Sequence, residues 1–139
     1  MASRTTRIIL AALALGAALA ASACTTSARR EGNPRIRSAD AGCFTDAGFD
    51  YWYFEADVTD PNGYLDVVAV DVHIYDERAG GELVTQFGLN PTEDPAIWYA
   101  EVPDQQQGLD CFYNGFSVDF VAYDSLDLDD AVTIVPATY

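Results

Sequence analysis

From Phe49 onward the chain alternates apolar and polar residues, and no segment carries a helical period. That feature limits the fold more than any other, because successive side chains leave a β-strand on opposite faces and period two marks half-buried strands. In "FDYWYFEADV", Trp52, Phe54, Ala56 and Val58 share one face, and Tyr51, Tyr53, Glu55 and Asp57 the other. In "YLDVVAVDVHIYD", Val68, Val70, Val72 and Ile74 are expected inward, with Val67, Ala69, Asp71 and His73 outward. "ELVTQFGL" reads as a shorter strand, and "AIWYAEV" as one that buries Trp98, Ala100 and Val102. "GFSVDFVAYD" is expected to bury Phe116, Val118, Phe120 and Ala122, and "AVTIV" to bury Val132 and Ile134. Turn-forming residues separate these runs in "DPNG", in Arg78 to Gly81, in "NPTEDP", in "DQQQG" and in "SLDLDD". Six to seven short antiparallel strands predict an all-β sandwich, one domain over residues 41–139.

The preceding residues have a different character. Arg4 and Arg7 lead into an unbroken apolar run of 14 residues, Ile8 to Ala21. A membrane-spanning helix needs about 20 residues, so the run reads as the core of an export signal. Ala21-Ser22-Ala23 then supplies a small-residue cleavage site, and the next residue is Cys24. This stretch resembles the lipobox of bacterial lipoproteins, with Ala21 where that family prefers leucine. The resemblance implies a lipoprotein-type signal peptide over residues 1–23 and lipidation of Cys24 at the mature N-terminus. It also implies a cell-envelope protein, held outside the cytoplasm on a membrane by its lipid. Residues 24–40 are polar, contain Gly32-Asn33-Pro34 and read as a flexible tether. Three cysteines are an odd count for an exported chain. Lipidating Cys24 accounts for one and leaves Cys43 and Cys111 to form a disulfide, which an oxidising compartment permits. Closing a loop of that length contributes about 4 kcal/mol in the chain-entropy account.

The domain itself, over roughly Phe49 to Val135, resembles bacterial immunoglobulin-like and fibronectin-III-like domains. The resemblance rests on "ADVTDPNGYLDVVAVDVHIYD", "WYAEVP" and "FSVDFVAYD" in that order. It implies an immunoglobulin-like β-sandwich in which the Trp52 strand is strand B and pairs with E. The Val70, Val118 and Val132 strands are then C, F and G of the second sheet. In that order Cys43, before B, and Cys111, before F, fall at one end of the sandwich. The tether is expected to enter at this same end, so the B–C and F–G loops would point away from the membrane. Members of this superfamily mostly bind, space or present. The implied function is a lipid-anchored binding or adhesion-type module without catalytic activity; the alternative is a structural accessory subunit of a cell-envelope assembly.

Charge narrows the partners. From Asp40 to the C-terminus Arg78 alone stands against 21 acidic residues, a net charge of −20. Such a field repels nucleic acid and favours cations or basic partners. Arg29, Arg30, Arg35 and Arg37, in the tether, suit anionic head groups beside a lipid anchor. The B–C loop offers Asp57, Asp60, Asn62 and Asp66, and the F–G loop Asp124, Asp127, Asp129 and Asp130. Calcium takes six to eight hard oxygens, and Asp57, Asp60, Asn62, Asp124, Asp127 and Asp129 are the candidate ligands. The same residues are ordinary turn formers, and solvated acidic turns with no cofactor are the outcome the sequence favours. His73, beside Asp71, has no nucleophile to activate. Asp71 and Glu55 offer a carboxylate pair for acid–base work on a glycan, the enzyme reading that ranks third. Tyr51, Tyr53, Tyr75, Tyr99 and Tyr123 face outward, where tyrosines suit protein or glycan contacts or pack across strands. Of these, Tyr51, Tyr53 and Tyr123 are the candidate binding residues.

Overall fold

The alternating runs become the strands of a β-sandwich. A computed structural model describes residues 32–139; the expected signal peptide, the expected lipidation site Cys24 and the first part of the expected tether lie outside the described residues. Eight strands follow in chain order: β1 Arg35–Asp46, β2 Phe49–Thr59, β3 Val67–Asp76, β4 Glu82–Gly88, β5 Asn90–Pro91, β6 Ile97–Pro103, β7 Phe116–Asp124 and β8 Asp129–Ile134. They form two antiparallel sheets, β1-β2-β6-β5 and β4-β3-β7-β8. The Trp52 strand pairs with β6, and the Val70, Val118 and Val132 strands share the second sheet, which is the expected order.

The core fills the space between the two inner faces. Trp52, Phe54, Ala56 and Val58 from β2 meet Val70, Val72 and Ile74 from β3 and Val118, Phe120 and Ala122 from β7, all buried. Trp52 stacks on Phe54 at 6.0 Å between ring centroids and meets Phe116 edge-on at 5.8 Å. Trp98 and Val102 are buried as expected, whereas Ala100, Val132 and Ile134 are only partly so. The last two lie on β8, an edge strand.

Two expectations about the strands are corrected. Val68 is 53 % exposed and Val67 is buried, because the β3–β7 register shifts between Val67 and Ala69. A bulge inserts one residue and reverses the alternation on one side of it. The tether, expected to run to Asp40, ends before Arg35, since Arg35 to Asp40 belong to β1. β1 pairs along its whole length with β2, from Arg35 opposite Thr59 to Asp46 opposite Phe49, with a bulge between Ile36 and Ser38.

That added strand moves the entry of the chain to the end of the sandwich opposite the one expected. The chain enters beside the end of β2, and β1 then carries it to the other end before Cys43 is reached. Entry point and cystine are thus separated by the strand from Arg35 to Cys43, roughly 26 Å at about 3.3 Å per residue. The Cys43–Cys111 disulfide itself is formed, with 5.8 Å between Cα atoms. The C-terminal segment lies along β1, Cys43 N–H donating to the Ala137 carbonyl at 3.0 Å and Ala137 N–H to that of Ala41 at 2.9 Å. Gly42 makes this approach possible: a Cβ there would sit 2.9 Å from the Ala137 oxygen.

Candidate functional site

The two ends of the sandwich are built from different chemistry. At the entry end the β2–β3 and β7–β8 connections meet. Asp60, Pro61, Asn62 and Gly63 form the expected turn, Gly63 N–H donating to the Asp60 carbonyl at 2.9 Å. The Asp60 side chain folds onto this turn, its Oδ1 accepting from Asn62 N–H at 2.7 Å. On the facing connection, Asp124 Oδ1 accepts from Leu126 N–H at 2.7 Å and Leu128 N–H at 2.9 Å. Asp66 ties the two connections together: its Oδ1 accepts from Ser125 Oγ at 2.7 Å and its carbonyl from Ser125 N–H at 3.0 Å.

Asp60, Asp66 and Asp124 therefore converge, with one carboxylate oxygen from each within 4.8 Å of the others. Asp60 is 6 % exposed and Asp124 is fully buried, so these are not solvated turn residues as the sequence favoured. Oδ2 of each is buried and finds no hydrogen-bond donor among the described residues. Two of the six expected ligands, Asp60 and Asp124, join the cluster, and its third member, Asp66, was offered by the B–C loop but not counted among the ligands. Asn62 lies at its rim, its amide donating to Asp66 Oδ2 at 3.1 Å. Asp57 does not join, because strand alternation turns it outward, where it pairs with Arg37 at 2.6 Å. That hydrogen-bonded pair also holds the Arg37 guanidinium above its ordinary pKa. Asp127 is exposed on a left-handed residue of the turn, with φ 60°. Asp129 is exposed as well, and it is its backbone carbonyl that takes part, accepting from Asn33 Nδ2 at 2.7 Å. Asp130 caps the entering strand, its Oδ2 accepting from Ile36 N–H at 2.9 Å.

The cystine end combines a few capping carboxylates, such as Asp104, whose Oδ1 accepts from Cys111 N–H at 2.8 Å, with an exposed apolar group. Leu109 and Cys111 are buried there, while Phe49, Phe112 and Tyr139 are 68 %, 67 % and 54 % exposed. Phe112 and Tyr139 touch at 5.5 Å between centroids, and the Tyr139 hydroxyl lies 2.8 Å from Thr45 Oγ1. Sequence reasoning missed this group, since Phe112 and Tyr139 lie outside any strand pattern and Phe49 stands at the very start of β2. Nearby, Tyr113 donates to Asp76 Oδ1 at 2.5 Å. That hydrogen bond, with those from Arg78 and Ala79 N–H, holds the Asp76 carboxyl below its ordinary value and raises the Tyr113 phenol.

The outer faces divide the remaining candidates. Tyr51 and Tyr53 lie on the β1-β2-β6 face, packed around Phe44 at 5.6 and 6.2 Å. Tyr53 donates to Asp40 Oδ2 at 3.0 Å and Tyr99 to Glu101 Oε1 at 2.7 Å. Partial burial and then the hydrogen-bonded carboxylate raise both phenols, Tyr99 to about 12. Tyr123 is on β7, hence on the outer face of the other sheet, and joins no cluster with Tyr51 and Tyr53. The same division separates the two carboxylates of the enzyme reading. Glu55 faces out from β2 and Asp71 from β3, across two sheets stacked about 10 Å apart, so they cannot flank one glycosidic bond. His73 lies on the second face beside Asp71, Gln86, Phe87 and Gly88, around a shallow recess. Comparison of the chain with protein-family models, curated proteins and solved structures returns no match.

Proposed function

We propose that this chain is an extracytoplasmic β-sandwich module, anchored by a lipid on Cys24 and serving to bind or present rather than to catalyse. The observation that carries the reading is the Cys43–Cys111 disulfide. A structural disulfide belongs to an oxidising compartment, and the pairing leaves Cys24 as the odd thiol after a signal-like run. The corrected course of β1 changes how the module would stand. From Cys24 to Gly32 the chain extends at most about 29 Å, so the acidic entry end is the one held near the membrane. Phe49, Phe112 and Tyr139 at the cystine end then face away from it. Exposed aromatic rings of this kind suit a protein contact.

The test is intact mass and fractionation of the full chain expressed with its own N-terminus. Cleavage before Cys24, a lipid adduct and no free thiol are expected, and Cys24→Ala is expected to move the protein from the membrane to the soluble fraction. A mature N-terminus elsewhere with Cys24 unmodified contradicts the anchor. Labelling of Cys43 or Cys111 without prior reduction contradicts the bridge.

A further inference from the structure

The carboxylates at the entry end point to a ligand of their own. Three acids from two separate connections place oxygens within 4.8 Å of one another, and two of the three are more than nine-tenths buried. A buried carboxylate oxygen without a donor is costly, because it has given up water and gained nothing. Asp60 and Asp124 each carry one: Oδ1 is engaged by turn amides, and Oδ2 is buried without a donor among the described residues. Like charges at this separation also repel, more strongly away from water. We propose that Asp60, Asp66 and Asp124 bind a divalent cation, and that the cation is calcium. The donors are all hard oxygens, which excludes metals that need thiolate or imidazole. Magnesium keeps several waters and an octahedral shell, whereas calcium accepts an irregular cage of protein oxygens. Here the turn amides fix the positions of Asp60 and Asp124, and their burial leaves little room for a retained water shell. The surrounding charge of −20 on residues 40–139 further concentrates cations. A bound ion would cross-link the β2–β3 and β7–β8 connections, and so the two sheets, beside the point where the chain enters.

The test is calorimetric and thermal titration of the full chain in detergent, stripped with a chelator and held at constant ionic strength so that general screening is the same in every arm. Calcium is expected to bind saturably and to raise Tm by about 10 °C or more at a hundredfold excess over Kd. Magnesium at the same concentration is expected to give less than half that shift. Asp66→Asn and Asp124→Asn should each abolish the calcium-specific rise. Chelated Asp66→Asn should melt no lower than chelated wild type, which separates loss of the site from loss of the fold. Asp127→Asn, on an exposed turn residue, should keep the full response. Equal shifts with calcium and magnesium, or an undiminished response in both site variants, would overturn the proposal.

Discussion

The two ends of the sandwich face the same structural problem and meet it differently. Each must hold together two sheets whose loops come from distant parts of the chain. At the cystine end the tie is the Cys43–Cys111 bond across a separation of 68 residues, packed over buried Leu109 and flanked by aromatic rings. At the entry end it is a set of hydrogen bonds to carboxylates, Asp66 to Ser125 across the connections and Asp130 to the Ile36 amide, which the facing like charges of Asp60 and Asp124 oppose. A covalent tie responds to redox state and to little else. A tie made of charge responds to whatever balances the charge. With calcium at Asp60, Asp66 and Asp124 as proposed, one end's stability would follow oxidation and the other's the ions around it.

The contrast can be broken most forcefully at the cystine. Replacing Cys43 and Cys111 by serine is expected to cost about 2–5 kcal/mol in urea denaturation. A loss within experimental error would mean that packing alone closes this end. At the other end, Asp130→Ala removes the acceptor of a part-buried amide and is expected to cost about 1–2 kcal/mol. Proteolysis should show the damage at β1, while Cys43–Cys111 stays intact. Acid should act on the cystine side as well, through a hydrogen-bonded carboxylate there. Asp76 has a folded value below its ordinary 3.8, so its contribution is present above that value and lost as pH falls through the lower one. The urea midpoint of the wild type should fall on acidification below about pH 4, and Tyr113→Phe should flatten that fall. The smallest effect is expected from Arg37→Ala. The Arg37 side chain is 51 % exposed, and a pair so open to solvent contributes little, which salt removes.

How far the sequence foretold this contrast depended on side-chain size and on local geometry. β2, β3 and β7 were legible because large or β-branched residues repeat on their inner faces, as in Trp52, Phe54 and Val58 or Val118 and Phe120. β1 was not, since its inward positions hold Ala39 and Ala41 and its bulge after Ile36 breaks the phase. Charged Arg35, Arg37 and Asp40 also suit an edge strand, where they discourage pairing with another chain, yet they read as tether. β5, two residues long, offers no period at all. Missing β1 placed the chain's entry beside the cystine, although the acidic loops were rightly expected at the other end. The Cys43–Cys111 pairing was legible from the order of the strands. The burial of Asp60 and Asp124 was not, because it follows from how two loops close over each other, and Asp residues that are buried or exposed look alike in a turn sequence.

Amide hydrogen exchange tests the difference between the ends most directly. The N–H groups of Asn62, Leu126 and Leu128 donate to Asp60 and Asp124, while those of Cys111 and Tyr139 report on the cystine end. At fixed ionic strength, adding calcium should slow exchange of the first three and leave the other two unchanged. Reducing the disulfide should speed Cys111 and Tyr139 first. If calcium slows all five amides equally, or none, the two ends are not held by different means and the account fails.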